Sequence, residues 1–186
     1  MTELLWALGR GTGVVALALF TASVVLGILT RSGRPAFGLP RFGVSLVHRN
    51  TALIGSVFIV IHVLTLLADP YAKLTLLDTI VPFLAAVKPL WVGLGTVAFD
   101  LLIAIVITGL VRQRIGTKVF RFIHWFTYAM WPIALLHAIG NGSDAGSGWF
   151  IVFALVCSLT VIGAVMWRLS ATFIDYSHAR GAEVDR

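Results

Sequence analysis

Charged residues and cysteine are scarce in this chain. Asp, Glu, Lys and Arg make up only 12% of its 186 residues, whereas 59% are hydrophobic, and the mean hydropathy is +0.96. Such a composition excludes an ordinary soluble domain and is typical of an integral membrane protein. The single cysteine, Cys157, excludes a disulfide framework and lies in an apolar run, where we expect a small buried hydrophobe.

The sequence also lacks a Gly-rich phosphate loop and a polar stretch long enough to fold as a nucleotide-binding domain. We therefore expect any flavin or nicotinamide chemistry to come from a partner protein. The net charge of +6 does not indicate nucleic-acid binding, because the basic residues lie in short loops between apolar runs. That distribution is the positive-inside pattern of membrane proteins.

Five apolar runs predict an all-α integral membrane bundle with five transmembrane helices. The first predicted span begins at residue 4 or 11 and ends at 29. The other four cover about 47–67, 90–111, 120–139 and 149–166. Residues 71–88 are interrupted by charges and proline and are interpreted as a short amphipathic surface segment. The membrane domain is placed at residues 1–170, followed by a polar cytoplasmic tail at 171–186.

The loop charges predict the orientation of the bundle in a plasma (cell inner) membrane. Basic residues follow the first and third spans and the last one, while the loops after the second and fourth spans are neutral or acidic. The N-terminus is therefore expected outside and the C-terminus in the cytoplasm. Arg10, near the N-terminus, is the one objection. In this topology the second and fourth spans run in the same direction.

Four of the five histidines form a matched set on these two spans. His48 and His62 are 14 residues apart, and His124 and His137 are 13 apart. Either step covers about 20 Å of helix axis. Two parallel helices can thus form two stacked ligand pairs, His48 with His124 and His62 with His137. The fifth histidine, His178, lies in the polar tail and is expected to be solvated.

The chemistry of the pairs follows from the number of ligands at each level. Zinc needs three or four converging ligands, which the long step within each helix forbids. Two imidazoles suit haem iron, and with both axial positions filled they favour electron transfer over oxygen binding. A single histidine in a membrane helix often only hydrogen-bonds to a neighbouring helix. Four in matched positions favour two b-type haems.

The 13-residue step does not place His124 and His137 on the same face of a regular helix. At about 100° per residue His62 returns to within roughly 40° of His48, whereas His137 ends roughly 140° from His124. We expect Pro132 to bend or rewind the fourth span between them. The alternative is that the two haems meet this span from different sides.

Other residues have weaker indications of function. Basic side chains at the cytoplasmic end either contact haem propionates or only set the topology: Arg41, Arg49, Arg114, Lys118 and Arg121. Asp100 lies inside the third span, where it either holds a ligand imidazole, takes up a proton, or pairs with Thr96, Thr108 or Trp91. Met130 and Trp131 lie between the ligands of the fourth span, as electron-transfer contacts or as core.

These motifs resemble the ferric reductase-like transmembrane family, the haem-binding core of NADPH oxidases, iron reductases and the haem subunit of bacterial methionine-sulfoxide reductase. The resemblance rests on His48-Arg49-Asn50 with His62, and on His124 with Leu136-His137. Residues 94–102 and Asp69-Pro70-Tyr71 resemble small actinobacterial-type members. The resemblance covers about residues 4–170. It implies that His48 pairs with His124 and that His62 pairs with His137. The additional N-terminal span and the C-terminal FAD and NADPH domains of larger members are missing.

The sequence thus predicts transmembrane electron transfer through two stacked haems. The donor is expected to be a cytoplasmic flavin-dependent reductase or a quinol, and the acceptor an unidentified one at the outer face. One alternative is a one-haem subunit of a periplasmic reductase system, with flavin or quinone as the second cofactor. Another is a non-enzymatic membrane assembly subunit whose histidines only pack.

Overall fold

The computed structural model describes residues 2–176 and confirms an all-helical membrane bundle. Its helices are α1 (Thr2–Ser32), α2 (Arg41–Ala68), α3 (Pro89–Leu110), α4 (Arg112–His124), α5 (Thr127–Asn141) and α6 (Gly148–Leu169). Within the described residues there is no strand, only an isolated bridge between Ala36 and Leu39. Helices α1, α2, α3 and α6 are each long and apolar enough to cross a membrane, and α4 with α5 makes up a fifth candidate span that is bent by 47°.

The core is built by four of the six helices. Side chains of α1, α3, α5 and α6 meet at its centre: Ala16, Leu17, Phe20, Ala98, Leu102, Ile105, Met130, Trp131, Cys157 and Val161. The predicted burial of Cys157 is confirmed. Helix α2 is peripheral, because it packs along α1 and only 11% of its spanning segment is buried. Much of its apolar surface is therefore free for lipid or for another apolar group.

Local sequence sets where the helices begin and end. Helix α1 stops at Gly33, whose φ of +67° is the left-handed conformation that commonly ends a helix. Pro40 lies immediately before α2, and Pro89 occupies the first turn of α3, where its missing N–H costs nothing. Asp69-Pro70 follows α2, and the Asp69 carboxylate accepts a hydrogen bond from the Tyr71 N–H.

The fourth predicted span is broken, but not at Pro132. Helix α5 continues through Pro132, and the 47° bend lies at residues 125–126 between α4 and α5. Here the Phe126 and Tyr128 N–H groups bond to carbonyls three residues back, as in a 3₁₀ helix. Three residues per turn instead of 3.6 adds about 20° per residue. Over the few residues of this turn the gain is smaller than the roughly 140° between His124 and His137, so the turn supplies part of the rotation that was expected from Pro132.

Residues 69–88 lie between α2 and α3 and do not form the amphipathic helix that such a segment usually adopts. The only helical part is one 3₁₀ turn, Leu77–Thr79. The buried Asp78 carboxylate accepts hydrogen bonds from the N–H and hydroxyl of Thr75, and the Asp78 carbonyl accepts one from Thr96. These bonds hold the segment against α3, while Leu76, Leu77, Ile80 and Leu84 stay exposed.

Two ion pairs join α1 to late parts of the chain. Near the start of α1, the Arg10 guanidinium bonds to Asp144 in the α5–α6 loop, with its Nε 2.8 Å from the carboxylate. At the other end, Arg31 Nε donates to Asp175 over 2.6 Å. Arg41 at the start of α2 stacks 3.9 Å from the centre of the Tyr176 ring. The described part of the predicted tail therefore packs against the bundle.

Candidate functional site

The structure brings the four histidines together in two pairs. The rings of His48 and His124, the first pair, have centres 6.2 Å apart, and those of His62 and His137, the second pair, 6.4 Å. The ring planes are nearly perpendicular, at 88° and 87°. Two imidazoles that bind one metal from opposite sides, each at about 2 Å, have centres about 6.4 Å apart. Both pairs have that spacing.

Backbone carbonyls hold three of the four rings. The Nδ1 of His62 donates to the Gly9 carbonyl over 2.6 Å, and that of His48 to the Ser23 carbonyl over 2.9 Å. The Nδ1 of His137 donates to the Trp91 carbonyl over 2.7 Å. A carbonyl only accepts, so each Nδ1 carries the proton. The lone pair of a neutral ring then lies on Nε2, the atom needed to bind a metal.

His124 differs from the other three. Its Nδ1 is buried and has no hydrogen-bond partner among the described residues. The ring packs instead against Phe120, with centres 5.1 Å apart. Buried polar atoms without a partner are rare and call for an explanation, such as an absent ligand or a functional role.

The surroundings of the pairs fit haem. Helices α4 and α5 pack on α3, and α2 packs on α1, so each histidine pair joins helices that make few contacts with each other. Within residues 2–176 no group of three or more His, Cys, Asp or Glu side chains converges as a zinc site requires. A haem would take its two axial ligands from such a pair, and the porphyrin would supply the other four nitrogens.

The basic residues predicted as propionate contacts are all exposed. Arg41 stacks on Tyr176, and none of the described hydrogen bonds joins a histidine to Arg49, Arg114, Lys118 or Arg121. Arg168, at the end of α6, was not predicted from the sequence. Its guanidinium donates to the Tyr128 hydroxyl over 2.8 Å and lies 5.0 Å from the centre of the Trp125 ring. Because an arginine at the end of a span also sets topology, its position gave no signal of this contact.

Asp100 does not contact the ligands. Its side chain is exposed on α3, and it makes no hydrogen bond or ion pair that the described residues show. Thr96 and Thr108 bond to backbone carbonyls instead, and the Trp91 carbonyl is bonded to His137. The structure therefore gives no support for Asp100 as the group that steers an imidazole, because carbonyls take that place.

Met130 and Trp131 belong to the core, with 5% and 4% exposure. The indole N–H of Trp131 donates to the Thr21 hydroxyl over 3.0 Å. Core packing, one of the two roles expected for them, is confirmed. His178 lies outside the described residues.

Fold and site together define a multi-pass membrane protein with two paired-histidine centres at different depths. The sequence matches the family described as ferric reductase like transmembrane component over residues 12–135, about two-thirds of the chain. The chain belongs to that family. The matched region includes three of the four histidines and ends two residues before His137. Comparison with curated proteins and comparison with solved structures each gave no match. Family membership assigns the chain to transmembrane electron transfer in general.

Proposed function

We propose that the chain carries electrons across the membrane with two b-type haems, one bound by His48 and His124 and the other by His62 and His137. The observation that carries the proposal is the pairing of the four rings at the spacing of two ligands on one metal. A haem with two axial imidazoles supplies an iron that takes up and releases one electron without an open coordination position.

The residues contribute orientation and depth. Carbonyl bonds at His48, His62 and His137 fix the proton on Nδ1 and leave the Nε2 lone pair free to bind a metal. Helix α2 is continuous from His48 to His62, so the two levels are about 21 Å apart along its axis. That distance is about two-thirds of a ~30 Å hydrocarbon core. An electron would therefore pass from one pair to the other on its way across the membrane.

The proposed direction is from the cytoplasm outwards, with the first pair on the cytoplasmic side of the plasma membrane. The support is the basic character of the segments at that end, namely the linker before α2 and helix α4. Arg10, the objection to this orientation, is neutralised by Asp144. A cytoplasmic flavin-dependent reductase or a quinol is the proposed donor, and Arg168 with the exposed basic residues offers charges for the haem propionates.

One observation favours a second candidate, a one-haem subunit with flavin or quinone as the other cofactor. The first pair lacks the hydrogen bond at His124 that would orient its ring. In this alternative the second pair alone binds haem.

The test is the haem content and spectrum of protein purified after haem-replete expression. We expect about two haems per chain and low-spin iron. Because the ring planes are perpendicular, the electron paramagnetic resonance signal should be strongly anisotropic. His178→Ala is the matched control and should keep both haems. A ratio near one would favour the second candidate, and the absence of a Soret band would leave the histidines a packing role.

A further inference from the structure

Three of the four ligand rings lie over a glycine, and each glycine has the same relation to the carbonyl that the ring bonds. His62 bonds the carbonyl of Gly9 and lies over Gly13, and His48 bonds the carbonyl of Ser23 and lies over Gly27. His137 bonds the carbonyl of Trp91 and lies over Gly95. In every case the glycine comes four residues after the carbonyl.

The contacts are close enough to require glycine. A Cβ on Gly95 would lie 2.6 Å from Cε1 and Nδ1 of His137. One on Gly13 would lie 3.0 Å from the same two atoms of His62, and one on Gly27 would lie 3.2 Å from Cε1 of His48. The first distance forbids an alanine without movement of the ring, and the other two require smaller shifts.

Helix geometry explains the four-residue step. The carbonyl of residue i accepts the N–H of residue i+4, and the Cβ of residue i+4 points back along the helix over the same face. A side chain at i+4 therefore covers the flank of that carbonyl. Glycine leaves the flank open, and the free lone pair of the oxygen can accept the Nδ1–H of an imidazole from the next helix.

We infer that Gly13, Gly27 and Gly95 are positioning residues that open a backbone carbonyl to a ligand imidazole, and through this bond set the ring's orientation and its strength as a metal ligand. The inference rests on the proposed function. A ring that donates from Nδ1 is a stronger ligand, which stabilises the oxidised iron and lowers its reduction potential. His124 is not among the nearest neighbours of any described glycine, in agreement with its unpartnered Nδ1.

The experiment compares three single variants, Gly95→Ala, Gly13→Ala and Gly27→Ala, with Gly11→Ala. Gly11 is the matched control, since it lies on α1 between Gly9 and Gly13 and a Cβ there meets nothing within 4 Å. Alanine favours a helix over glycine, so a loss cannot come from helix propensity. The full-length protein is measured for haem per chain, for the reduction potential of each haem, and by ¹⁵N–¹H spectroscopy of labelled histidine for the Nδ1–H resonances.

Gly95→Ala should have the largest effect, weakening haem retention at the second pair by about tenfold. Gly13→Ala should raise the potential of the same haem, and Gly27→Ala should raise that of the first pair by less. Each variant should move the Nδ1–H resonance of its own histidine only. Gly11→Ala should change none of these. If Gly95→Ala fails to fold, Gly13→Ala and Gly27→Ala decide, because their contacts are longer.

Variants that behave like Gly11→Ala, with unchanged Nδ1–H resonances and unchanged potentials, would overturn the inference. The spectroscopic readout does not depend on bound haem. If the parent protein holds no haem but its Nδ1–H resonances respond to the three alanines as expected, the proposed function fails and the positioning role stands. If two haems are bound but the resonances and potentials do not respond, the positioning role fails and the proposed function stands.

Discussion

The two histidine pairs have the same spacing but are held differently. In the second pair both rings donate to carbonyls, from Gly9 and Trp91. In the first pair only His48 does so, and His124 stands at the end of α4 beside the bend, with a buried Nδ1 that has no partner in the described residues. The second pair is thus fixed by backbone on both sides, whereas the first keeps one ring that packing alone holds.

The two pairs therefore differ in how firmly their rings are oriented. A ligand fixed by a backbone bond loses little freedom when it binds a metal, because its orientation is already set. Within residues 2–176, His124 has no such bond to set its orientation. Near the first pair, Arg168 contacts Tyr128 and Trp125. This is also the proposed entry side for electrons.

The largest expected contrast is between losing one pair and losing the other. In His62→Ala the first pair should remain reducible from the cytoplasm, but delivery to an impermeant dye outside should fall to background. In His124→Ala both should stop, because the electron enters at the first pair. Inverted and right-side-out vesicles carrying each variant measure the two reactions. Undiminished reduction of the outside dye by His62→Ala would contradict transfer through two successive sites.

A smaller contrast concerns how firmly each site holds haem. His62→Ala leaves only the first pair and His124→Ala only the second, so haem titration into each variant compares the sites directly. The first pair should bind about tenfold more weakly, because it lacks one bond that orients a ligand. Equal affinities would show that the unpartnered His124 Nδ1 costs nothing and would remove the distinction between the sites.

The smallest effect is expected at Asp100. Its carboxylate is exposed and contacts neither pair, so Asp100→Asn should change the free energy of each reduction by less than about 0.5 kcal/mol. Potentiometric titration of both haems is the measurement. A clear shift confined to the second pair would restore the role that the sequence suggested, with a charge acting across a distance rather than through a bond.

The sequence predicted which histidines lie together better than it predicted what holds them. Histidine is a distinctive residue, and the 14- and 13-residue steps on two parallel spans were enough to pair the rings. The bonds that orient them end on carbonyls, which every residue has, so no residue type marks them. Asp100 was one candidate for this role, because only side chains are visible in a sequence; the alternatives were proton uptake and pairing with Thr96, Thr108 or Trp91.

The bend in the fourth span is a second feature that the sequence did not predict correctly. Proline is a common cause of helix bends, and Pro132 lies between His124 and His137, so the bend was expected there. The structure bends instead at Trp125 and Phe126, two ordinary helix residues that enter a 3₁₀ turn. Neither residue is of a type that marks a helix break, so nothing in the sequence indicated the turn.

The two ion pairs of α1 have a consequence for the position of this helix along its axis. Helix α1 supplies two of the three carbonyls, and sliding it by one residue, about 1.5 Å, would carry both away from their imidazoles. Its axial position is tied by Arg10 to Asp144 and by Arg31 to Asp175, partners 134 and 144 positions further along the chain. Two contacts between segments far apart in the sequence therefore help to keep α1 in register, together with its packing along α2. They tie the carbonyl positions of α1 to the α5–α6 loop and to the segment after α6.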